Sequence, residues 1–319
     1  MIIFGISFIF TNEIEPHGLA YKNELGDEAI ISFNAVKGNL FGSISTHDGK
    51  SFSIEKCKNS HMWKEFNMNS FHKNIRDSAI PIWTRFEYRI EPLAKDEGQK
   101  VTYSIMAYFT HEAAKIVEDI EGWLDLRLAD VNQAYLNSKI PLRVERFCTE
   151  ITSSTVNEKE LDLEKIRHLK GDILRTKKTA DAVVLFTYSH LGNGLAYVNS
   201  PGGIQSKVWS FSVMSVAYAQ GSVRTLAHEL GHNFGCNHND GHLVTSGNNS
   251  QGVNTIMAYA TTDHWFSANY YANPDLIYPP TGTPLGVAEV SDCARIITEN
   301  RIIFSAQGDE GGYCKNKGI

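Results

Sequence analysis

The run His228-Glu229-Leu230-Gly231-His232-Asn233-Phe234-Gly235-Cys236-Asn237-His238 holds the residue types of metal-assisted hydrolysis, at spacings that let them act together. On a helix, side chains four apart project from one face, so the imidazoles of His228 and His232 can bind one ion. Glu229, beside the first of them, can face a water held by that ion, and a carboxylate there suits a general base. Gly235 stands where the helix must end, since glycine takes the left-handed conformation without a Cβ clash and turns the chain. His238 then returns as a third ligand. Three neutral imidazoles suit zinc, and three protein ligands leave a position for water, the arrangement of catalytic rather than structural zinc sites. The expected chemistry is one zinc per chain lowering the pKa of its water toward about 7, with Glu229 taking the proton as that water attacks.

The same run resembles the HExxHxxGxxH motif of the metzincin zinc endopeptidases and matches it at every fixed position. Thr255-Ile256-Met257-Ala258-Tyr259 resembles the family's methionine-containing turn, which would make Met257 a polarizable floor beneath the histidines. The resemblance implies a zincin fold of mixed α and β structure. Its parts would be a five-stranded twisted mixed sheet with an antiparallel edge strand, a long active-site helix and the Met-turn. It also makes Gly194-Leu195-Ala196-Tyr197-Val198 the upper edge strand, on which an extended substrate adds antiparallel, unless a prodomain covers it. Tyr259 would either donate a hydrogen bond to the oxyanion or serve only as a structural tyrosine of the turn. HELGHNFG and Ile90-Glu91-Pro92-Leu93 resemble the adamalysin (ADAM-like, reprolysin) branch and its propeptide. Three features depart from that branch. Asn239 precedes Asp240 where Asp usually follows the third histidine, no switch cysteine lies between Pro92 and Cys148, and Met257-Ala258-Tyr259 is closer to astacins and serralysins.

The elements that must position these residues follow from periodicity. Residues 1–95 read as β-rich, with alternating runs at 29–36, 40–46 and 50–57 and turn signals at Lys37-Gly38-Asn39 and His47-Asp48-Gly49. The polar stretch 95–100 is the linker candidate, so a prodomain-like region at 1–95 precedes a catalytic domain at 96–319. In the latter, strands are expected at 101–110, 140–149, 182–188, 194–198 and 208–219. Helices are expected at 112–137, 161–175 and 222–233, the first burying Ile116, Ile120, Trp123, Leu124 and Leu128. That order implies a mostly parallel sheet with helical crossovers and one extra edge strand.

Composition bounds the rest. A hydrophobic content of 42% and a charged content of 21% describe a globular chain, and a net charge of −6 without a basic cluster argues against nucleic-acid binding. The apolar stretch 1–10 is too short to cross a bilayer; it fits a secretory signal, a strand, or a start that is incomplete. Of five cysteines, Cys57 lies in the N-terminal region, and Cys148, Cys236, Cys293 and Cys314 remain as an even set able to form two disulfides in three connectivities. An extracellular, monomeric enzyme made as a zymogen and acting on protein or peptide substrates is therefore expected. Cys57, with His61 four residues on, either reaches the metal, pairs or lies free. The other histidines (His17, His47, His72, His111, His168, His190, His242 and His264) have no ligand spacing, and nothing indicates calcium. Asn248-Asn249-Ser250 is a glycosylation sequon. The competing reading, a zinc-binding but catalytically silent peptide-capture protein, leaves Glu229 unexplained.

Overall fold

The computed structural model describes residues 2–3, 6–7, 9–14, 18–23, 27–34, 37–46, 50–57, 60–66, 78–81, 99–117, 119–152, 180–188, 194–199, 210–216, 224–245, 252–259 and 266–305. The His47-Asp48-Gly49 turn, most of the linker, the Ile90–Leu93 segment, the helix expected at 161–175 and the sequon lie outside the described residues.

The alternating runs near the N-terminus become an antiparallel meander. After a two-stranded pair, β1 (Ile2–Ile3) and β2 (Ile6–Ser7), six strands follow in sequence order. They are β3 (Ile9–Ile14), β4 (Gly18–Lys22), β5 (Glu28–Asn34), β6 (Asn39–Ser45), β7 (Ser51–Cys57) and β8 (Ser60–Phe66). Gly38, with φ +65°, supplies the left-handed residue of the hairpin expected between β5 and β6. The end of the 1–10 stretch is strand, since Ile9 and Phe10 of β3 face Lys22 and Tyr21 of β4.

The second sheet collects β9 (Ser78–Pro81), β10 (Val101–Phe109), β11 (Leu142–Ile151), β12 (Ala182–Thr187), β13 (Gly194–Val198) and β14 (Phe211–Ser215). Their order is β11-β10-β12-β14-β13-β9, with β13 antiparallel to β14 and the other pairings parallel. Every residue of β12 is buried, which explains why its sequence runs apolar without alternation. The expected count of five strands is corrected to six, and β13 is not an edge. Its outer N–H and C=O groups are paired by β9, a strand from the region assigned to the prodomain.

The helix expected over 112–137 is two helices, α1 (His111–Val117) and α2 (Ile120–Asn137). Asp119 separates them, accepting the Gly122 N–H at 3.3 Å as the cap of α2. The break ends the common helical phase, so Ile116 is exposed while Trp123, Leu124 and Leu128 are buried. One face of α2 packs on this second sheet, where Trp123 meets the stacked rings of Phe109 and Phe186. The N-terminal sheet lies against it too, and Ala20, Ile30 and Phe41 join the same core. Polar contacts line this second interface. Glu28 accepts from Asn137 at 2.9 Å and from Asn269 at 2.8 Å, and Asp119 takes Asn39 and Lys37. Burial pushes the Asp119 carboxyl up, but the Asn39 and Gly122 donors and Lys37 outweigh it and hold it below the usual carboxylate range.

Helix α3 (Thr225–Asn233) lies beside α2. Beyond it come β15 (Leu243–Thr245), β16 (Gly252–Asn254), β17 (Phe266–Ser267), β18 (Asn273–Tyr278), β19 (Thr283–Leu285) and α4 (Cys293–Ser305). Cys236 and Cys293 form a disulfide that fastens the end of α3 to α4, and Cys148 is disulfide-bonded as well.

Candidate metal centre

His228 and His232 lie on one face of α3, as their spacing requires. The helix ends in a turn where the Gly235 and Cys236 N–H groups bond the carbonyls of His232 and Gly231 at 2.9 and 3.0 Å. Gly235 has φ +102°, a conformation that a Cβ disfavours. The chain then enters a short 3-10 turn, His238–Asp240, which brings His238 back to the helix. Asp240 accepts the Asn237 N–H at 2.6 Å and closes that turn. The acidic residue one place later than in the adamalysin pattern thus has a structural task here.

The three Nε2 atoms converge, with separations of 3.1, 3.1 and 3.2 Å. Ligands about 2.0–2.1 Å from one tetrahedral ion stand about 3.3 Å apart, so the set fits a single zinc. Proton bookkeeping supports the fit. The His228 Nδ1 faces the Ile256 carbonyl at 2.6 Å and the His232 Nδ1 faces the Cys236 carbonyl at 2.7 Å. Each Nδ1 therefore carries the proton and donates it, leaving both Nε2 atoms as bare lone pairs turned on one another. A cation relieves that repulsion. Among the described residues, this trio is the one group of three or more such side chains close enough to share an ion.

Glu229 is buried at 1% exposure next to the trio. Its carboxylate lies so close to Gly194 that a Cβ there would collide with it. Gly194 is thus the clearance that lets β13 run along α3, a role that the sequence alone does not reveal. Two further bonds fix that alignment: Asn199 N–H to the His232 carbonyl and Asn233 Nδ2 to the Tyr197 carbonyl, both 3.0 Å. Met257 is fully buried with its sulfur against Gly231, where a Cβ would strike it. Tyr259 is exposed, with its ring centroid 3.9 Å from that of His238. Leu195, Ala196, Tyr197 and Val198 are in β13 as expected, but each is opposite a residue of β9, Ser78 to Pro81 in turn. His61 stands apart from the centre; its Nε2 accepts the Leu40 N–H at 2.8 Å within the N-terminal sheet. Sequence reasoning also missed Tyr271, whose buried hydroxyl donates to the Ala227 carbonyl at 2.6 Å and fastens the chain after Met257 to α3.

Comparison with known proteins agrees with this geometry. The family model described as metallo-peptidase family M12 matches residues 99–271, more than half of the chain. A peptidyl-Asp metalloendopeptidase of Stenotrophomonas maltophilia strain R551-3 is 24% identical over 312 residues, covering 89% of this chain and 72% of that protein. One from Xanthomonas campestris pv. campestris is 26% identical over 239 residues, covering 68% of this chain and 54% of its own length. A solved structure described as a chaperone-substrate complex shares the fold at a TM-score of 0.54 and 12% identity. It covers 95% of this chain, which spans 57% of that one. The chain belongs to metallopeptidase family M12 and is a zinc metalloendopeptidase.

Proposed function

We propose that this is an extracellular endopeptidase of the metzincin type, on the adamalysin-like branch, with Glu229 as general base and residues 1–95 as its prodomain. The observation that carries the chemistry is the convergence of three Nε2 atoms beside a buried glutamate. Zinc held by His228, His232 and His238 would supply Lewis acidity, making a water more acidic and a peptide carbonyl more electrophilic. Glu229 takes the proton from that water and passes it to the leaving amine. Gly194 keeps this carboxylate against β13, so the base stands beside the strand that orders the substrate. The substrate main chain pairs antiparallel with Gly194, Leu195, Ala196, Tyr197 and Val198. Tyr259 donates its hydroxyl to the developing oxyanion, a role supported by its contact with His238. The names of the bacterial relatives support a cut beside aspartate.

The pairing of β9 supports the prodomain reading. It runs parallel to β13, opposite in sense to an antiparallel substrate, and uses the same main-chain groups. Latency of this kind needs no switch cysteine. Cleavage near residue 95 is then expected to raise activity, and unchanged activity after that cut would end the prodomain idea.

The deciding experiment compares wild type and Glu229→Ala on a proteome-derived peptide library, with and without chelator. Wild-type cleavage is expected to vanish with chelator. Glu229→Ala is expected to lose about 10³-fold in kcat/KM while retaining zinc by elemental analysis. Chelator-sensitive proteolysis that survives in Glu229→Ala would falsify the assignment.

A further inference from the structure

We propose that Arg224 reads the substrate side chain that follows the cleaved bond and selects a carboxylate there. This rests on the endopeptidase reading above and adds the residue responsible for the preference, together with the side of the bond on which it acts.

Chain polarity sets the side. β13 and α3 run in the same sense, since Gly194 abuts Glu229 while Tyr197 and Asn199 are bonded to Asn233 and His232. A substrate antiparallel to β13 therefore runs from the Asn233 end of α3 toward its start. The residues after the scissile bond lie toward that start. Arg224 stands there, immediately before Thr225, with its carbonyl accepting the His228 N–H at 2.9 Å. Being four residues before His228, it shares that histidine's face of the helix, about 5.4 Å along the axis.

The charge of Arg224 is not consumed by the protein. Its Nε is buried and has no hydrogen-bond partner among the described residues, and none of the ion pairs among them includes it. The charged or ionisable groups that act on it are Asp130 of α2, Glu28 of β5 and Tyr278 of β18. Each carboxylate has another hydrogen-bond partner, although Asp130 Oδ2 is buried without one. Glu28 accepts from Asn137 and Asn269, and Asp130 Oδ1 from the Asn269 amide at 3.4 Å. Burial pushes Asp130 up to about 7, so near neutrality it offsets only part of the guanidinium charge. Arg224 itself is lowered by burial yet stays cationic, as a desolvated guanidinium does. The residue is only partly buried, which leaves part of it accessible to a side chain. A planar guanidinium short of acceptors binds a carboxylate through two parallel N–H bonds, prefers it to the isosteric amide, and repels a cation.

The test uses the full chain, activated by cleavage near residue 95, and peptides identical except for Asp, Asn or Lys after the cleaved bond. Wild type is expected to favour Asp over Asn by about 10- to 100-fold in kcat/KM. Arg224→Met should bring the Asp-to-Asn ratio close to one, and Arg224→Glu should favour Lys over Asp. Arg224→Lys, which keeps the charge without the paired geometry, should lower the Asp-to-Asn ratio several-fold and still reject Lys; it decides the matter if Arg224→Met does not fold. An Asp preference that persists in Arg224→Met, or is unchanged in Arg224→Lys, overturns the proposal. So does an acid preference located before the cleaved bond. Cleavage without any acid preference overturns this inference and leaves the endopeptidase reading standing, whereas a zinc-loaded wild type that cuts nothing even after cleavage near residue 95 removes both.

Discussion

Two groups of polar side chains flank α2, and they treat their hydrogen-bonding capacity in opposite ways. Toward the N-terminal sheet, Glu28, Asn39, Asn137 and Asn269 pair donor to acceptor, and Asp119 holds two donors from β6 and its approach. Toward the second sheet, His228, His232 and His238 bring their Nε2 atoms to 3.1–3.2 Å of one another, with those of His228 and His232 both acceptors. The first pattern is how an interface lowers its energy, because these donors and acceptors complement one another. The second is unstable without a cation, and it persists only because carbonyls at Ile256 and Cys236 and the Gly235 turn fix the rings from behind. Satisfaction marks the docking surface. Concentrated dissatisfaction marks the site of chemistry.

The largest test of this contrast is His232→Ala. It removes one lone pair from the trio, so metal content should fall and kcat/KM should drop by about 10³-fold or more. The N-terminal sheet should remain docked, which hydrogen exchange of the β5 and β6 amides measures. Loss of protection there would mean that the two polar groups are one unit. The converse substitution, Glu28→Ala, leaves the amides of Asn137 and Asn269 without their charged acceptor. It should cost about 2–3 kcal/mol in unfolding experiments and release protection in β4 to β6 first. Metal content should not change. If zinc is lost along with the sheet, the contrast fails from the other side.

The catalytic motif was legible because its geometry is local. Helical spacing fixes His228 against His232, and one glycine turn returns His238, so residues within eleven positions determine the trio. The remaining features of the site are set by distant partners. Gly194 matters because of Glu229, Tyr271 because of the Ala227 carbonyl, and Glu28 because of Asn269, which is 241 residues away. The break between α1 and α2 had a readable sign in Asp119, a good cap residue, but apolar spacing that continued on both sides concealed it. β9 had no sign of its own. Four residues without alternation, Ser78 to Pro81, become a strand because β13 offers them an open edge.

The most gradual expected effect, spread across several pH units, separates two carboxylates on α2 and its cap. Asp119 is held below the usual range and contributes stability above its unfolded pKa, which is lost as pH falls through the folded value. Asp130 is raised by burial to about 7, partly offset by Arg224 and Arg127, so its sign is reversed. Its protonated form fits the folded state better, and wild type should lose stability as pH rises from about 4 to 7, by at most about 4 kcal/mol. Asp130→Asn is neutral throughout. It should therefore be close to wild type at pH 4 and more stable than it at pH 8, with the difference growing across that window in parallel unfolding curves. A difference that instead shrinks with pH would mean that the carboxylate is held ionised by Arg224 and Arg127. The guanidinium at the head of α3 would then be spent on the protein, and the acceptor-poor character of the catalytic side would be confined to the three histidines.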